Sequence, residues 1–120
     1  MLHFRSHMVA DVAVVEFLVP GICDGPEIEE ITEELHEMIG RSTSKKMILD
    51  LSRVRFIASR ALSLLLGLKQ TVDVHNGEFL VCGLRQQLEQ IFRLSGIERF
   101  LSVHATREQA LAALGAPAMG

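Results

Sequence analysis

Three arginines and a serine near the middle of the chain are the side chains best placed to bind a charged ligand. Arg53, Arg55 and Arg60 fall within eight residues, around a loop predicted to lead into a helix. The free backbone amides of a helix N-terminus carry a partial positive charge, so arginines there could complete an anion-binding site. Arg60 alone would be unfavourable there by about 0.3–1 kcal/mol. We expect the Ser59 hydroxyl to cap the helix by accepting an amide hydrogen bond from its first turn.

Recognisable catalytic and metal-binding motifs are absent from the sequence. It contains no G-x-S-x-G, no P-loop and no G-x-G-x-x-G. Asp50 ends a predicted buried strand without a specified basic or nucleophilic partner, so we predict that it bonds loop amides near Ser52. The five histidines are scattered and are predicted to lie on the surface: His3, His7, His36, His75 and His104. The sequence therefore predicts no metal, no cofactor and no enzymatic activity.

Length and composition favour one globular domain in the cytoplasm. The chain has 120 residues, of which 48% are hydrophobic, enough for one layered core. The net charge of −3 and the absence of Trp and Tyr argue against nucleic-acid binding. No signal peptide is evident, and the apolar stretch Ala61–Leu68 is too short to span a bilayer, so direct membrane insertion is not expected. Cys23 and Cys82 are expected to be reduced thiols.

Strand-like and helix-like segments alternate along the chain. Strands are predicted at 11–18, 47–51, 78–84 and 99–103, with a weaker one at 2–9. Helices are predicted from Pro26, over 60–74, over 85–96 with Gly96 as the stop, and after a Thr106 cap up to Gly115. This alternation predicts an α/β domain with a mixed or mostly parallel sheet. We expect a domain over residues 1–115 and a flexible tail over 116–120.

Two of the predicted helices have unusual surfaces. Six glutamates of the first helix lie outside its apolar stripe, forming either a solvated face or an acidic docking face. The second helix carries too many leucines for one narrow stripe, so it is either broadly buried or leaves some leucines for a partner. These two helices also leave room for a homodimer. The glutamates are Glu27, Glu29, Glu30, Glu33, Glu34 and Glu37.

Two long segments resemble the STAS domain, the fold of bacterial anti-sigma factor antagonists. They read "MILDLSRVRFIASRALSLLLGL" and "NGEFLVCGLRQQLEQIFRLSGIERFLSVHATREQALAAL", and the resemblance extends over about residues 12–114. It implies a stand-alone STAS protein with a single layer of four- to five-stranded mixed sheet, covered by about four helices. It also implies a partner, either an anti-sigma factor or a histidine-kinase-like ATPase.

The resemblance also relates Ser59 and Arg60, where the second predicted helix begins, to a phosphorylation motif of the family. Antagonists of this family typically carry Asp-Ser-Ser-Gly before the second helix, and the partner kinase phosphorylates the second serine. The matching residues here are Ala58, Ser59, Arg60 and Ala61, so Arg60 occupies the phosphorylated position. Arginine cannot accept the phosphoryl group, and its charge is opposite to that of phosphoserine. The usual switch is therefore predicted to be absent.

Several functional interpretations remain open from the sequence. We favour a module that binds its partner constitutively through Asp24, Ser59, Arg60 and Leu62, with an ion pair between Asp24 and Arg60. Asp24 matches an acidic residue that follows the second strand in the family. Alternatively, Ser59 is a substitute phosphosite, or Arg53, Arg55 and Arg60 bind a nucleotide or another anion. A regulatory STAS subunit of an ABC-type lipid transport system is a further alternative.

Overall fold

The computed structural model describes residues 3–22, 26–41 and 45–116 as an α/β fold with four α-helices. The strands are β1 Phe4–Val9, β2 Val12–Phe17, β3 Gly21–Ile22, β4 Lys46–Asp50, β5 Phe56–Ile57, β6 Glu78–Cys82 and β7 Ser102–His104. The helices are α1 Pro26–Arg41, α2 Ser59–Val74, α3 Gln86–Ser95 and α4 Arg107–Ala113, with a 3₁₀ turn at Ile97–Arg99.

The main sheet is mixed and has five strands in the order β1-β2-β4-β6-β7. Strand β1 pairs antiparallel with β2, and the other neighbours are parallel. The predicted mixed sheet, the predicted helices and the weaker first strand are thus confirmed. The short strands β3 and β5 form a separate parallel pair that the sequence did not reveal.

Helices pack on both faces of the sheet. On one face, α1, α2 and α3 bury Ile31, Leu65 and Phe92 against strand residues such as Leu49. On the other face, α4 packs Leu111 in a second cluster whose strand residues include Val14 and Ile48. Because helices cover both faces of the sheet, β2 and β4 are mostly apolar on both sides, apart from Glu16, Lys46 and Asp50 near the strand ends.

The structure shows how far the leucines of α2 and the glutamates of α1 are buried. In α2, Leu62, Leu65 and Leu68 are buried, while Leu64 and Leu66 are partly buried against the same core, which confirms broad burial. In α1, every glutamate whose side chain is described is exposed: Glu29, Glu30, Glu33, Glu34 and Glu37. The acidic residues therefore form a solvent-facing surface.

The predicted cap of α4 and the predicted end of α3 are confirmed, but one histidine is not where the sequence predicts it. Thr106 caps α4 by accepting a hydrogen bond from the Gln109 amide, and Gly96 ends α3 in the left-handed region at φ 78°, as predicted. The surface prediction for His3 is wrong, because it is 8% exposed and its carbonyl accepts the Leu18 amide at 2.9 Å.

The packed chain extends one residue beyond the predicted domain end. Ala116 is buried, and its amide donates to the Leu111 carbonyl at 2.9 Å. The rest of the predicted tail, residues 117–120, lies outside the described residues, as do Cys23 and Asp24. In the described parts of the chain, no helix is long and apolar enough to cross a lipid bilayer.

Candidate functional site

The turn at residues 58–61 is held by the small β3–β5 pair. The Pro20 carbonyl accepts hydrogen bonds from the amides of Arg55 and Phe56, at 2.7 and 3.3 Å. The Ile22 carbonyl then accepts the Ala58 amide at 2.8 Å. These three bonds fix the point where the chain leaves β5 and enters α2, and they set the direction in which the next side chains point.

Ser59 is the first residue of α2 and does not cap it, so the prediction of a Ser59 cap is wrong. The cap residue is Ala58, with φ −75° and ψ 155°, and its methyl group offers no hydrogen-bond acceptor. The amides of Ala61 and Leu62 both donate to the Ala58 carbonyl. Ser59 is exposed. The first turn also lacks an acidic residue, so the helix N-terminus keeps its partial positive charge toward solvent.

Arg60 forms an ion pair with α1. Its Nη2 donates to Glu29 Oε1 at 2.7 Å, and the two side chains are 52% and 62% exposed. Such an exposed pair is worth about 0–1 kcal/mol. The predicted partner of Arg60, Asp24, lies outside the described residues, so that pairing stays a prediction.

The other predicted site residues take separate positions. Arg53 directs its Nε toward Glu16 Oε2 at 3.4 Å, so it is paired with a different carboxylate from Arg60. Arg55 is exposed. Leu62 is only 7% exposed and belongs to the core, so its side chain is not part of an accessible contact surface.

A second group of charged residues, which the sequence analysis missed, lies where the parallel strands end. Glu16 and Asp50 are register partners on β2 and β4, and both are buried. Glu16 Oε1 accepts a hydrogen bond from Arg5 Nε at 2.8 Å and lies 3.7 Å from Arg107 Nη2. Arg53 approaches the second Glu16 oxygen. The sequence offers one weak signal, an acidic residue inside an apolar strand, but nothing that identifies its partners.

Asp50 joins the β4 loop to the start of α4. Its Oδ1 accepts the Ser52 amide at 2.9 Å, which confirms the predicted structural role. Its Oδ2 accepts Arg107 Nε at 3.0 Å and Arg107 Nη2 at 2.7 Å. Burial opposes ionisation, but hydrogen bonds from Ser52 and Arg107 outweigh it and lower the pKa of Asp50. Gly83, at φ 76°, permits this packing, because a Cβ there would lie 3.0 Å from Oδ1.

The Cys82 thiol beside Asp50 is not activated as a nucleophile. Cys82 is the register partner of Asp50 on β6, and it is fully buried. Burial, followed by the neighbouring Asp50 charge, raises the pKa of the Cys82 thiol to about 12, so it is not a thiolate at neutral pH. Among the described residues, no three His, Cys, Asp or Glu side chains form a cluster that could hold a metal ion.

Comparison with known proteins assigns the family. The model of the STAS domain matches residues 9–110. The chain belongs to the STAS domain family. This STAS domain is 27% identical over 93 residues to BtrV of Bordetella bronchiseptica, whose name assigns it provisionally to the anti-sigma factor antagonists. The match covers 78% of this chain and 79% of BtrV.

Solved structures support the same fold. The anti-sigma factor antagonist SpoIIAA, in its unphosphorylated form, superposes with a TM-score of 0.77 at 21% identity, covering 93% of this chain and 96% of SpoIIAA. The phosphorylated form of Bacillus SpoIIAA gives a TM-score of 0.69 at 21% identity, over 92% of this chain and 98% of SpoIIAA. In the present STAS domain, the turn at residues 58–61 is an exposed helix N-terminus with a free hydroxyl and a paired arginine.

Proposed function

We propose that this STAS protein acts in the cytoplasm as an anti-sigma factor antagonist-like binding module. Its partner is an anti-sigma factor or a histidine-kinase-like ATPase, and it acts by binding, without catalysing a reaction. The similarity to BtrV and the fold shared with SpoIIAA support the general class. The turn at residues 58–61 is the contact surface in this proposal.

The observation that carries the proposal is the exposure of Arg60 at the start of α2. Ser59 and Arg60 project into solvent from a helix N-terminus without a side-chain cap. The amides of this helix N-terminus carry a partial positive charge, and the Arg60 guanidinium beside them is held only by the exposed Glu29. A partner carboxylate could replace Glu29 at little cost, because the exposed Arg60–Glu29 pair is worth about 0–1 kcal/mol.

We further propose that binding is constitutive with respect to phosphorylation at position 60. The family resemblance places the phosphorylated serine at this position, where the present chain has arginine. A phosphoserine would add a charge of about −1.5 to −2, whereas arginine adds one positive charge. Arg60 therefore neither accepts the regulatory phosphate nor mimics its presence.

Charge reversal at Arg60 tests the contact surface. Tagged protein is used to capture its partner, which must be identified as an anti-sigma factor or as carrying a histidine-kinase-like ATPase domain. The purified partner is then titrated against the Arg60→Glu variant and against Arg93→Glu, which reverses another exposed arginine, on α3. We expect Arg60→Glu to weaken binding at least about tenfold, as loss of a charged contact at an interface does. Equal affinities for both variants would exclude the turn as the contact.

Restoring a hydroxyl at position 60 tests the missing switch. The purified partner and ATP are incubated with the wild-type protein, with Arg60→Ser and with Ser59→Ala, and phosphosites are mapped by mass spectrometry. We expect no phosphate on the wild type and, with a kinase partner, phosphate on Arg60→Ser at the introduced serine. High occupancy of phosphate on wild-type Ser59, with loss of binding, would overturn the constitutive model and establish Ser59 as a substitute switch.

A further inference from the structure

A half-open apolar groove lies at the end of α2 opposite to the turn. Its volume is about 310 Å³. The floor is a row of register partners across three strands, Met8 on β1, Ala13 on β2 and Met47 on β4. The ends of the two helices form the walls, with Ile39 from α1 and Val72 from α2. A rise of about 1.5 Å per residue places Val72 roughly 20 Å along α2 from the turn, so the groove is separate from the proposed contact surface.

The groove exists because a small residue stands in the middle of the row. Ala13 lies between two methionines and is itself 6% exposed, so its methyl group leaves space beneath the helix ends. Met47 and Val72 are buried at 4% and 2% exposure, whereas Met8 forms the open lip at 53%. Methionine side chains adapt to irregular apolar shapes, which suits a flexible hydrocarbon occupant.

Polar side chains also line the groove: Ser6, His7, His75 and two lysines, Lys45 and Lys46. Lys45 is exposed and lines the groove just before β4. Lys46 is occupied on the opposite face, where its ammonium lies 3.2 Å from Asp11 Oδ2 and donates to the Leu114 carbonyl. Lys45 also borders a neighbouring polar depression that Asp11 and Glu78 line, and Asp11 is already paired there. Of the two lysines that line the groove, Lys45 is therefore the one whose ammonium is available to a ligand.

We propose that this groove binds a medium-chain aliphatic carboxylate. The hydrocarbon chain lies over Met8, Ala13 and Met47, and the carboxylate meets the Lys45 ammonium. A mostly apolar lining with a few polar groups, here including the Lys45 ammonium, is the arrangement expected of a small-molecule site. The volume falls near the lower limit of such sites, about 300–1,000 Å³. The proposal does not depend on the identity of the protein partner, because it concerns the other end of α2.

Methyl NMR on the full chain tests the proposal directly. Of the five methionines, Met8, Met38 and Met47 line the groove, while Met1 and Met119 lie near the chain ends, outside the described residues. With methyl-labelled methionine, decanoate titrated below its micelle concentration should shift the three groove signals and leave the other two unchanged. Decylamine and decanol should bind several-fold more weakly, because neither complements a cation. The absence of shifts with decanoate, or equal binding of decylamine, would overturn the proposal.

Matched variants separate the apolar and the charged contribution. Ala13→Leu should fill the floor and abolish the decanoate shifts; Ala13→Val, a smaller filler, should weaken them if the leucine variant does not fold. Lys45→Met should weaken decanoate binding without affecting decanol, whereas Lys69→Met, which removes a lysine paired with Asp73 elsewhere on α2, should change neither. Retained binding in both folded Ala13 variants would refute the site. Concentration-dependent shifts of the same methyl groups without ligand, together with a dimer in sedimentation, would assign the groove to a second copy instead.

Discussion

Replacing Arg107 with methionine tests whether the buried charged residues at the strand ends hold α4 on the sheet. The substitution keeps most of the aliphatic stem but removes two hydrogen bonds to Asp50 Oδ2, of 2.7 and 3.0 Å. Asp50, with a side chain only 8% exposed, keeps the Ser52 amide but loses its cation. Removing one partner of a buried pair costs about 3–5 kcal/mol. Because the Arg107 side chain is 28% exposed, we expect a loss of about 2–4 kcal/mol in the free energy of unfolding.

Arg60→Met is the matched control for this substitution. It removes the same functional group from a pair whose side chains are 52% and 62% exposed, so we expect a loss of no more than about 1 kcal/mol. Urea unfolding is followed by far-UV circular dichroism, since the chain has no Trp or Tyr for fluorescence. With a denaturant slope of about 1–3 kcal/mol per M, Arg107→Met should lower the midpoint by on the order of 1 M. Equal urea midpoints for the two variants would show that the buried Arg107 pair stabilises the fold no more than the exposed Arg60 pair does.

The pH dependence gives a second readout of the same ion pair. The pKa of Asp50 is lower in the folded protein, so its contribution is fully present above the unfolded pKa of about 3.9. That contribution is lost as the pH falls through the folded pKa, because the protonated carboxyl group gives up its pairing. In Arg107→Met the pKa of Asp50 is lowered less. The free energy of unfolding should therefore fall less steeply with pH below about pH 4 than it does in the wild type. A variant with the wild-type slope in this acid range would show that Arg107 does not stabilise the Asp50 carboxylate.

Two further predictions concern single groups. Thr106→Ala should cost about 0.5–2 kcal/mol in urea unfolding because it removes the α4 cap, whereas Ser59→Ala should change stability by less than about 0.5 kcal/mol. A larger cost for Ser59→Ala would contradict its position inside α2. In a Cys23→Ser background, a thiol reagent at pH 8 should label Cys82 only after unfolding, because the thiol is buried and its pKa is about 12. Rapid labelling in the native state would contradict that burial.

The fold could be predicted because each large element carries its own pattern. The apolar runs of β2, β4 and β6 and the single stripe of α1 are visible in the sequence, and turn residues separate them. The sequence does not predict β3 and β5, because a strand of two residues is too short to show an alternation of apolar and polar side chains. Their pairing also depends on a contact between loops that are distant in the sequence. The sequence predicts Ser59 as the cap because it places the start of α2 one residue too late, which is within the usual uncertainty of helix ends.

The buried charged residues were not predictable from the sequence because long-range register creates them. Glu16 and Asp50 become neighbours only when β2 pairs with β4. Arg107, 57 residues after Asp50, reaches both carboxylates only once α4 docks on that face of the sheet. Arg53 and Arg60 are close in sequence but are paired with different carboxylates, Glu16 and Glu29, which their spacing alone does not predict.

The contrast between Arg107 and Arg60 bears on which arginine a partner can use. Arg107 is committed to a buried carboxylate, so a partner that recruited it would have to compensate a loss of about 2–4 kcal/mol in the fold. The ion pair between Arg60 and the exposed Glu29 contributes only about 0–1 kcal/mol to stability. Arg60 also stands beside free amides at a helix N-terminus. A partner carboxylate can therefore take Arg60 from Glu29 without disturbing the sheet. That difference in cost favours the turn at residues 58–61, over the charged residues at the strand ends, as the contact surface of the proposed binding module.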